Sequence, residues 1–509
     1  MNKKFYLMTS FITGFALMTV ELLASRIVAP IIGSSVFTWT SVIGTTLLGL
    51  SIGSYLGGKL SDKFNNNWLL PLSFLVSSIS VFLINFFAKS VGFIINSTDS
   101  MLLINLFVSL YLFLPSALFI GTIQPIVLKK YADNISNIGK EYGLLSSLWS
   151  LGSILGVFLS GFYFVSNIGS FETLNMISII LLILSIAFSY KNKRSLTLNL
   201  VILLIFLTII FLIPKVNQKN NKILFEKETN YYKIRIVDRN LPKYGDTRFL
   251  FLDIDSHNEI AKDADIDSYT KIYPIFSDIN ADMQKMLVIG AGAYEIPQYL
   301  KENYKNSDIT VLEVDPEIEK VGEMFFDLKP KEIKTKITDA RVFFSKTSQK
   351  YDLIFGDAYN SFISVPWYLL TDQFNKEVYE KLTENGIYAL NFIGKIEGNG
   401  SELTKSIATT FKKTFKNSLI LKYGNLDNSV QNIVLIGIKG EVEINSIINK
   451  ITRNHPSLAE KILSKEKTDE LTSSGQILTD NFSPIEKLIS PITQEYFTEY
   501  IRFLEKLKI

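Results

Sequence analysis

Seven apolar stretches crowd into the first 213 residues and none follows them, which constrains this chain more than any other feature. They run Phe5–Ala24, Val36–Leu56, Leu69–Ala88, Met101–Leu128, Tyr142–Val165, Phe171–Tyr190 and Leu196–Ile213. Each is long enough to cross a hydrocarbon core of ~30 Å. The first is too long, and has too many successors, to be a cleaved signal peptide. Charge divides the chain at the same place. Residues 1–213 carry 12 Lys/Arg and 6 Asp/Glu, almost all between the apolar runs, whereas the remainder carries 40 and 43. The expected organisation is therefore multi-domain: an N-terminal polytopic helical membrane bundle over 1–213, a small β-subdomain over 214–280, and a doubly wound, Rossmann-like α/β domain over 281–509.

Composition removes several kinds of chemistry. Net charge of +3 leaves no basic surplus for nucleic acid. The chain has no cysteine, which excludes disulfides, thiolate zinc and a cysteine nucleophile, and His257 and His455 are too few for a histidine-based metal site. No metal is expected.

Within the bundle, Gly49, Gly53 and Gly57, and likewise Gly152, Gly156 and Ser160, recur every four residues, a spacing that lets helices touch; a pore lining is the alternative. Pro115 and Pro125 should bend or break the fourth span. Glu21 and Arg26 are charges at the end of the first span, read as an interfacial pair or a functional one. GGKLSDK (57–63) resembles the short loop after the second helix of major-facilitator transporters. Orientation is in conflict. The basic N-terminus (Lys3, Lys4) and alternate basic loops place the N-terminus in the cytoplasm. Seven crossings would then put residue 214 onward outside, yet Lys215, Lys219 and Lys222 favour a cytoplasmic exit. The fourth span is the candidate re-entrant segment. The expected location is the cell membrane, multi-pass, with the soluble half cytoplasmic.

The soluble half is organised by residues 285–315. Met286–Ile289 is a buried-strand run, Gly290-Ala291-Gly292 follows, Tyr294–Tyr304 suits a helix, and a second strand, Ile309–Val314, carries Glu313 near its end. Strand, glycine turn, helix, strand and acid make a nucleotide-binding half-unit. Glu295 stands where a third glycine would complete the dinucleotide pattern, so an S-adenosylmethionine-type ligand fits better than NAD. Further strands near Tyr351, Gly386, Asn417 and Val430 alternate with helices and predict a mostly parallel sheet, whose ligands sit at the carboxyl ends of the strands. Asp339-Ala340-Arg341 opens a helix, where Asp339 can be an N-cap, a base-reading acid, or both. Tyr351–Asp357 is an apolar strand ending on an acid. Tyr359, Trp367 and Tyr368 follow it, either as cation–π partners for a cationic ligand or as an apolar lid.

These residues carry a family resemblance. The soluble half resembles the spermidine synthase (polyamine aminopropyltransferase) family. The whole chain resembles bacterial and archaeal membrane proteins that join a transporter-like helical bundle to such a domain. The matching blocks lie at 21–62, VIGAGAYEIPQYL (288–300), LEVDP (312–316), DARVFF (339–344), YDLIFGDAYNSFISVPWYLLT (351–371) and LTDNFSPIEKL (478–488). The resemblance implies aminopropyl transfer from decarboxylated S-adenosylmethionine to a small-molecule amine such as putrescine, releasing methylthioadenosine. It implies that Gly290 and Gly292 lie against the adenosyl group, that Glu313 holds the ribose, that Asp339 with Ala340 holds the adenine, and that Asp357 is the base. Tyr359, Trp367 and Glu486 are the substrate-binding candidates, the bilayer is the expected environment, and a homodimer stays open.

The departures are specific. Where the family has an acid in its glycine loop this chain has Ala293, and where it has a second acid after the base this chain has Asn360. The family's glutamine has no counterpart in residues 252–258. Three readings follow. The first is an aminopropyltransferase with compensating acids among Asp253, Asp255, Asp267 and Glu486. The second is a methyl- or other alkyltransferase using intact S-adenosylmethionine on a membrane-associated substrate. The third is a transporter or sensor whose domain binds an adenosyl ligand or polyamine. Asp357 favours an enzyme, and the first reading is preferred.

Overall fold

The computed structural model describes residues 3–64, 66–95, 100–132, 137–190, 193–217, 223–253, 255–262, 268–329, 332–358, 366–493 and 495, with the side chains of 101 and 211–217 set aside. They form two compact units. One holds the helices through residue 217 and takes in residues 228–230; the other begins with Ile223–Lys227 and continues from Tyr231.

Seven helices of the first unit are long and apolar enough to cross a membrane. They are Lys3–Ile32, Val36–Lys63, Leu69–Phe87, Met101–Tyr131, Ile138–Leu159 with a π-helical turn that extends it to Asn167, Ser170–Ser189 and Lys193–Asn217. Their outer faces carry large apolar side chains such as Leu47, Phe162 and Leu204, while hydroxyls and amides turn inward. Thr38 donates to Asn105 Oδ1 at 2.8 Å, and Ser78 and Ser178 donate to each other's carbonyls at 2.7 and 3.1 Å. This inside-out polarity suits a lipid solvent, in which polar groups must be satisfied within the protein. The glycine spacing is a packing device. A Cβ on Gly53 would lie 2.1 Å from the Leu118 carbonyl oxygen, and one on Gly152 would lie 1.9 Å from that of Phe11.

The fourth helix corrects an expectation. It runs unbroken for 31 residues through Pro115 and Pro125, about 46 Å at the usual rise. Pro125 has no N–H for the Gly121 carbonyl, but Ser54 of the second helix donates to that oxygen at 3.4 Å. A neighbouring hydroxyl thus compensates the proline. In the first helix Glu21 Oε2 is buried without a hydrogen bond among the described residues, so this oxygen does not join Arg26.

The second unit contains two sheets. β1 (Ile223–Glu228), β2 (Lys233–Leu241), β3 (Gly245–Leu252) and β4 (Asp255–Ala261) form a four-stranded sheet in that order. The larger sheet contains β5 (Lys285–Ile289), β6 (Asp308–Glu313), β7 (Lys334–Ile337), β8 (Tyr351–Gly356), β9 (Leu382–Gly394), β10 (Asn417–Lys422) and β11 (Gln431–Ile438). Its order is β10-β11-β9-β8-β5-β6-β7, with β11 antiparallel to both of its neighbours and β5 to β9 mutually parallel. Alternate residues supply the two apolar layers that cover it: Met286, Val288, Val311 and Phe355 on one face, Leu287, Ile289, Leu312 and Ile354 on the other. Ile234, Ile236 and Leu250 of the smaller sheet join the first of these layers.

The strand order reverses at β5, which pairs with β6 on one side and β8 on the other. Register aligns Ile289 with both Leu312 and Gly356, and Gly356 with Leu390. The next residues, Gly290, Glu313, Asp357 and Asn391, therefore stand in one row across the ends of β5, β6 and β8 and the adjoining part of β9. This row lies at the topological switch point, where open α/β sheets place their ligands.

Candidate functional site

A cavity of ≈ 360 Å³ opens over this row. At its floor the chain turns at Gly290 (φ +89°), where a Cβ would meet the Asp357 carbonyl oxygen at 2.5 Å. At Gly292 (φ +51°) it would meet Asn258 Oδ1 at 2.7 Å. Positive φ and close approach both require glycine. Tyr294 holds a third left-handed position (φ +63°) despite its side chain; the ring is fully buried and its hydroxyl lies 3.0 Å from Thr335 Oγ1.

Glu313, 7% exposed, shapes the turn. Its Oε2 accepts from Ala291 N at 3.1 Å, and its Oε1 accepts from Val314 N at 2.8 Å and Asp315 N at 3.0 Å. Burial pushes its carboxyl up, while these backbone donors pull the other way. Asp339 plays two parts. Its Oδ1 caps the following helix by accepting from Val342 N at 3.1 Å, and its Oδ2 accepts from the Tyr368 hydroxyl at 3.0 Å. Burial and the Asp339 charge raise the Tyr368 hydroxyl.

Arg341, two residues on, explains the motif at 478–488. Its guanidinium pairs with Asp480 through both nitrogens, at 3.2 and 2.5 Å, and donates to the Tyr368 carbonyl at 2.7 Å. Thr371 Oγ1 also donates to Asp480, at 2.7 Å. The C-terminal segment thereby braces the strap that carries Tyr368.

Asp357 follows directly on β8 in the cavity wall. Tyr269 donates to its Oδ2 at 2.7 Å, and Asn391 Nδ2 donates to its Oδ1 at 2.8 Å. Burial pushes its carboxyl up to about 6; the two hydrogen bonds oppose that rise and the Glu295 charge adds to it. Asn391 is 3% exposed, and its Oδ1 has no hydrogen-bond partner among the described residues.

The cavity thus gathers six of the residues anticipated from sequence: Gly290, Gly292, Glu313, Asp339, Ala340 and Asp357. Two others are not in its described wall. Trp367 packs on the apolar layer beside Tyr368, and Glu486 lies away from the lining. Tyr359, Asn360 and Asp267 lie outside the described residues. Of the proposed compensating acids, Asp255 lines the cavity, whereas Asp253 accepts the backbone N–H of Lys233 at 2.9 Å from a left-handed conformation (φ +54°). Sequence reading missed Tyr269, Asn258 and Asn391. Asn391 left one signal, a lone amide inside the apolar run of β9; Tyr269 left none. Among the described wall residues are five acids, Asp255, Glu295, Glu313, Asp339 and Asp357, and no lysine or arginine.

Fold and cavity define a doubly wound, Rossmann-like α/β domain with a glycine turn, a carboxylate at the end of the second core strand and an acid at the switch point. Parts of the chain are similar to known proteins. A stretch of 116 residues is 31% identical to a polyamine aminopropyltransferase of Vibrio vulnificus, covering 22% of this chain and 38% of that protein. A longer stretch of 231 residues is 27% identical to a probable polyamine aminopropyl transferase of Bifidobacterium longum, covering 42% and 50%. The chain thus spans half or less of the length of these curated relatives. Among solved structures, a probable spermidine synthase from Corynebacterium glutamicum aligns with a TM-score of 0.41 and 18% identity, over 49% of this chain and 94% of that one. The spermidine synthase of Thermotoga maritima aligns with a TM-score of 0.39 and 14% identity, over 49% and 87%. No family model matches the chain.

Proposed function

We propose that this protein is a membrane-integral aminopropyltransferase that moves the aminopropyl group of decarboxylated S-adenosylmethionine onto a small amine such as putrescine. The observation that carries the reading is the charge of the cavity, whose described wall has five acids and no lysine or arginine. Donor and acceptor of this reaction are both cations. Intact S-adenosylmethionine would bring a carboxylate into the same space, where like charges repel.

In the proposed reaction the adenosyl group lies over Gly290 and Gly292, with Glu313 accepting from ribose hydroxyls and Asp339 and Ala340 facing the base. The acceptor amine is mostly protonated at neutral pH and must lose a proton before it attacks. Asp357 takes that proton. The nitrogen lone pair then forms a bond to the methylene carbon on sulfur, the C–S bond breaks with its electrons passing to sulfur, and the sulfonium becomes the neutral thioether methylthioadenosine. Tyr269 and Asn391 hold the Asp357 carboxylate in position for this step.

The soluble unit is proposed to face the cytoplasm, where adenosyl donors are found, in keeping with Lys215, Lys219 and Lys222 at the exit of the bundle. The membrane helices are proposed to station this unit at the bilayer rather than to transport a solute, since Glu21 and Arg26 are too few charges for an evident relay.

The test is mass-spectrometric product formation by the full chain with a panel of amines and each donor. An aminopropylated amine plus methylthioadenosine is the expected result. Product from intact S-adenosylmethionine alone would replace the reading with a methyl- or alkyltransferase. Adenosyl binding without any product would favour the sensor.

A further inference from the structure

Residues 228–230 connect β1 to β2, yet they belong to the helical unit, while Ile223–Lys227 before them and the chain from Tyr231 belong to the other. Two contacts within the helical unit account for this. The sixth helix begins at Ser170 behind Gly169, a residue with no side chain to cap it. Glu228, 58 residues away in the chain, supplies the acceptor: its Oε2 takes the Ser170 N–H at 2.8 Å and its Oε1 takes the Ser170 hydroxyl. A carboxylate is favoured at a helix N-terminus, where N–H groups lack partners within the helix. Late in the first helix, the Arg26 guanidinium donates to the carbonyl of Thr229, a buried residue. Arg26, a charge with two possible roles from sequence alone, thus grips backbone next to a carboxylate held by a second helix.

The two residues that follow give this grip a consequence. Tyr231 and Tyr232 line the cavity at the strand ends. Tyr232 is buried and packs in the apolar layer with Ile234 and Ile236. Burial raises its hydroxyl well above the ordinary tyrosine range, and the charges of Glu313, Asp315 and Asp253 add to that rise. Arg26, Ser170, Glu228 and Thr229 are all outside the described wall of the cavity. Only Asn230 stands between the gripped carbonyl and Tyr231. The backbone has two soft dihedrals per residue, so fixing 228–229 leaves little freedom at 231 and 232.

We propose that the Glu228–Ser170 and Arg26–Thr229 contacts form a latch by which the membrane bundle positions Tyr231 and Tyr232 in the cavity wall. Glu228 and Arg26 are then positioning residues, and neither touches the reacting groups. The bundle takes part in ligand binding without meeting the ligand.

The test uses the full chain in lipid nanodiscs and has two readouts: hydrogen exchange across 229–234, and isothermal titration with methylthioadenosine, a probe taken from the proposed function. Glu228→Ala removes both bonds to Ser170 and should speed exchange across this segment by ~10–100-fold. It should weaken methylthioadenosine by ~3–10-fold, the scale of coupling between separated sites. Glu228→Gln keeps the shape and an acceptor, so both changes should be smaller and in the same direction. Ser78→Ala removes a hydrogen bond between the third and sixth helices and leaves the latch alone, so it should move neither readout. Unchanged exchange in Glu228→Ala would overturn the latch, and faster exchange with unchanged affinity would overturn its positioning role. An equal loss of affinity in Ser78→Ala would also overturn that role, because it marks a general loosening of the bundle. Failure of wild type to bind methylthioadenosine would remove the adenosyl reading of the proposed function. The latch would then be upheld or overturned by whether exchange at Tyr231 and Tyr232 quickens in Glu228→Ala.

Discussion

At the glycine-turn end of the cavity the chain presents mostly backbone, whereas at the Asp357 end it presents side chains drawn from distant segments. The turn end consists of Gly290, Gly292 and the N–H groups that hold Glu313, all within about thirty residues of one another. The Asp357 end is assembled from Tyr269 in the connection before β5 and Asn391 on β9, whose side chains hold the carboxylate. A backbone-built surface has few positions where substitution is tolerated, because any Cβ intrudes. A side-chain-built surface can move a function from one residue to a neighbour. The first end suits a constant ligand part and the second a variable one.

Four experiments break or sharpen this contrast. The largest effect is expected at the Asp357 end. Asp357→Asn keeps shape and removes the proton acceptor, so turnover should fall by ~10²–10⁴-fold while methylthioadenosine binding, set at the other end, stays nearly unchanged. Near-normal turnover would dismiss the base. Glu313→Gln should do the reverse, weakening methylthioadenosine by ~10-fold or more through loss of charge-assisted bonds; unchanged affinity in titration would take Glu313 out of the ligand's reach.

The third effect is a shift rather than a loss. In the proposed mechanism Asp357 acts as a base only when ionised, and burial lifts its carboxyl to about 6, so kcat/KM should rise with pH through that region. The Tyr269 hydrogen bond lowers the value. Tyr269→Phe should therefore move the acid limb to higher pH by ~1–2 units, and an unmoved profile would show that Tyr269 does not act through Asp357. The smallest effect belongs to Asp480→Asn. The Arg341–Asp480 pair is partly exposed and worth ~0–1 kcal/mol, so methylthioadenosine affinity should drop only a few-fold as the Tyr368 strap loosens. A loss as large as that of Glu313→Gln would mean the C-terminal segment contributes directly to the cavity.

Legibility in the sequence followed the same divide. The spans, the parallel core and the row at the strand ends could be read because each rests on local pattern: long apolar runs, glycine after a strand, an acid where a strand stops. Glu313, Asp339 and Asp357 are of this kind. Tyr269, Asn258 and Asn391 are not, because their proximity to Asp357 and Glu295 comes from tertiary packing, which brings together residues up to 88 apart in the chain. The fourth helix shows the limit from another side. Pro125 alone predicts a disturbance, and only the Ser54 hydroxyl on a different helix reveals the compensation.

The acid-rich wall gives the cavity the character of a cation exchanger. Five carboxylates line one small space, and the Asp357 carboxyl among them is raised chiefly by burial, with the Glu295 charge adding to it. Entry of an organic cation is then an exchange, expected to weaken as monovalent salt rises or pH falls. In the proposed transfer the donor enters as a sulfonium and leaves as an uncharged thioether. The chemistry itself cancels part of the attraction that held the ligand, so the spent nucleoside loses its electrostatic hold at the moment it must depart.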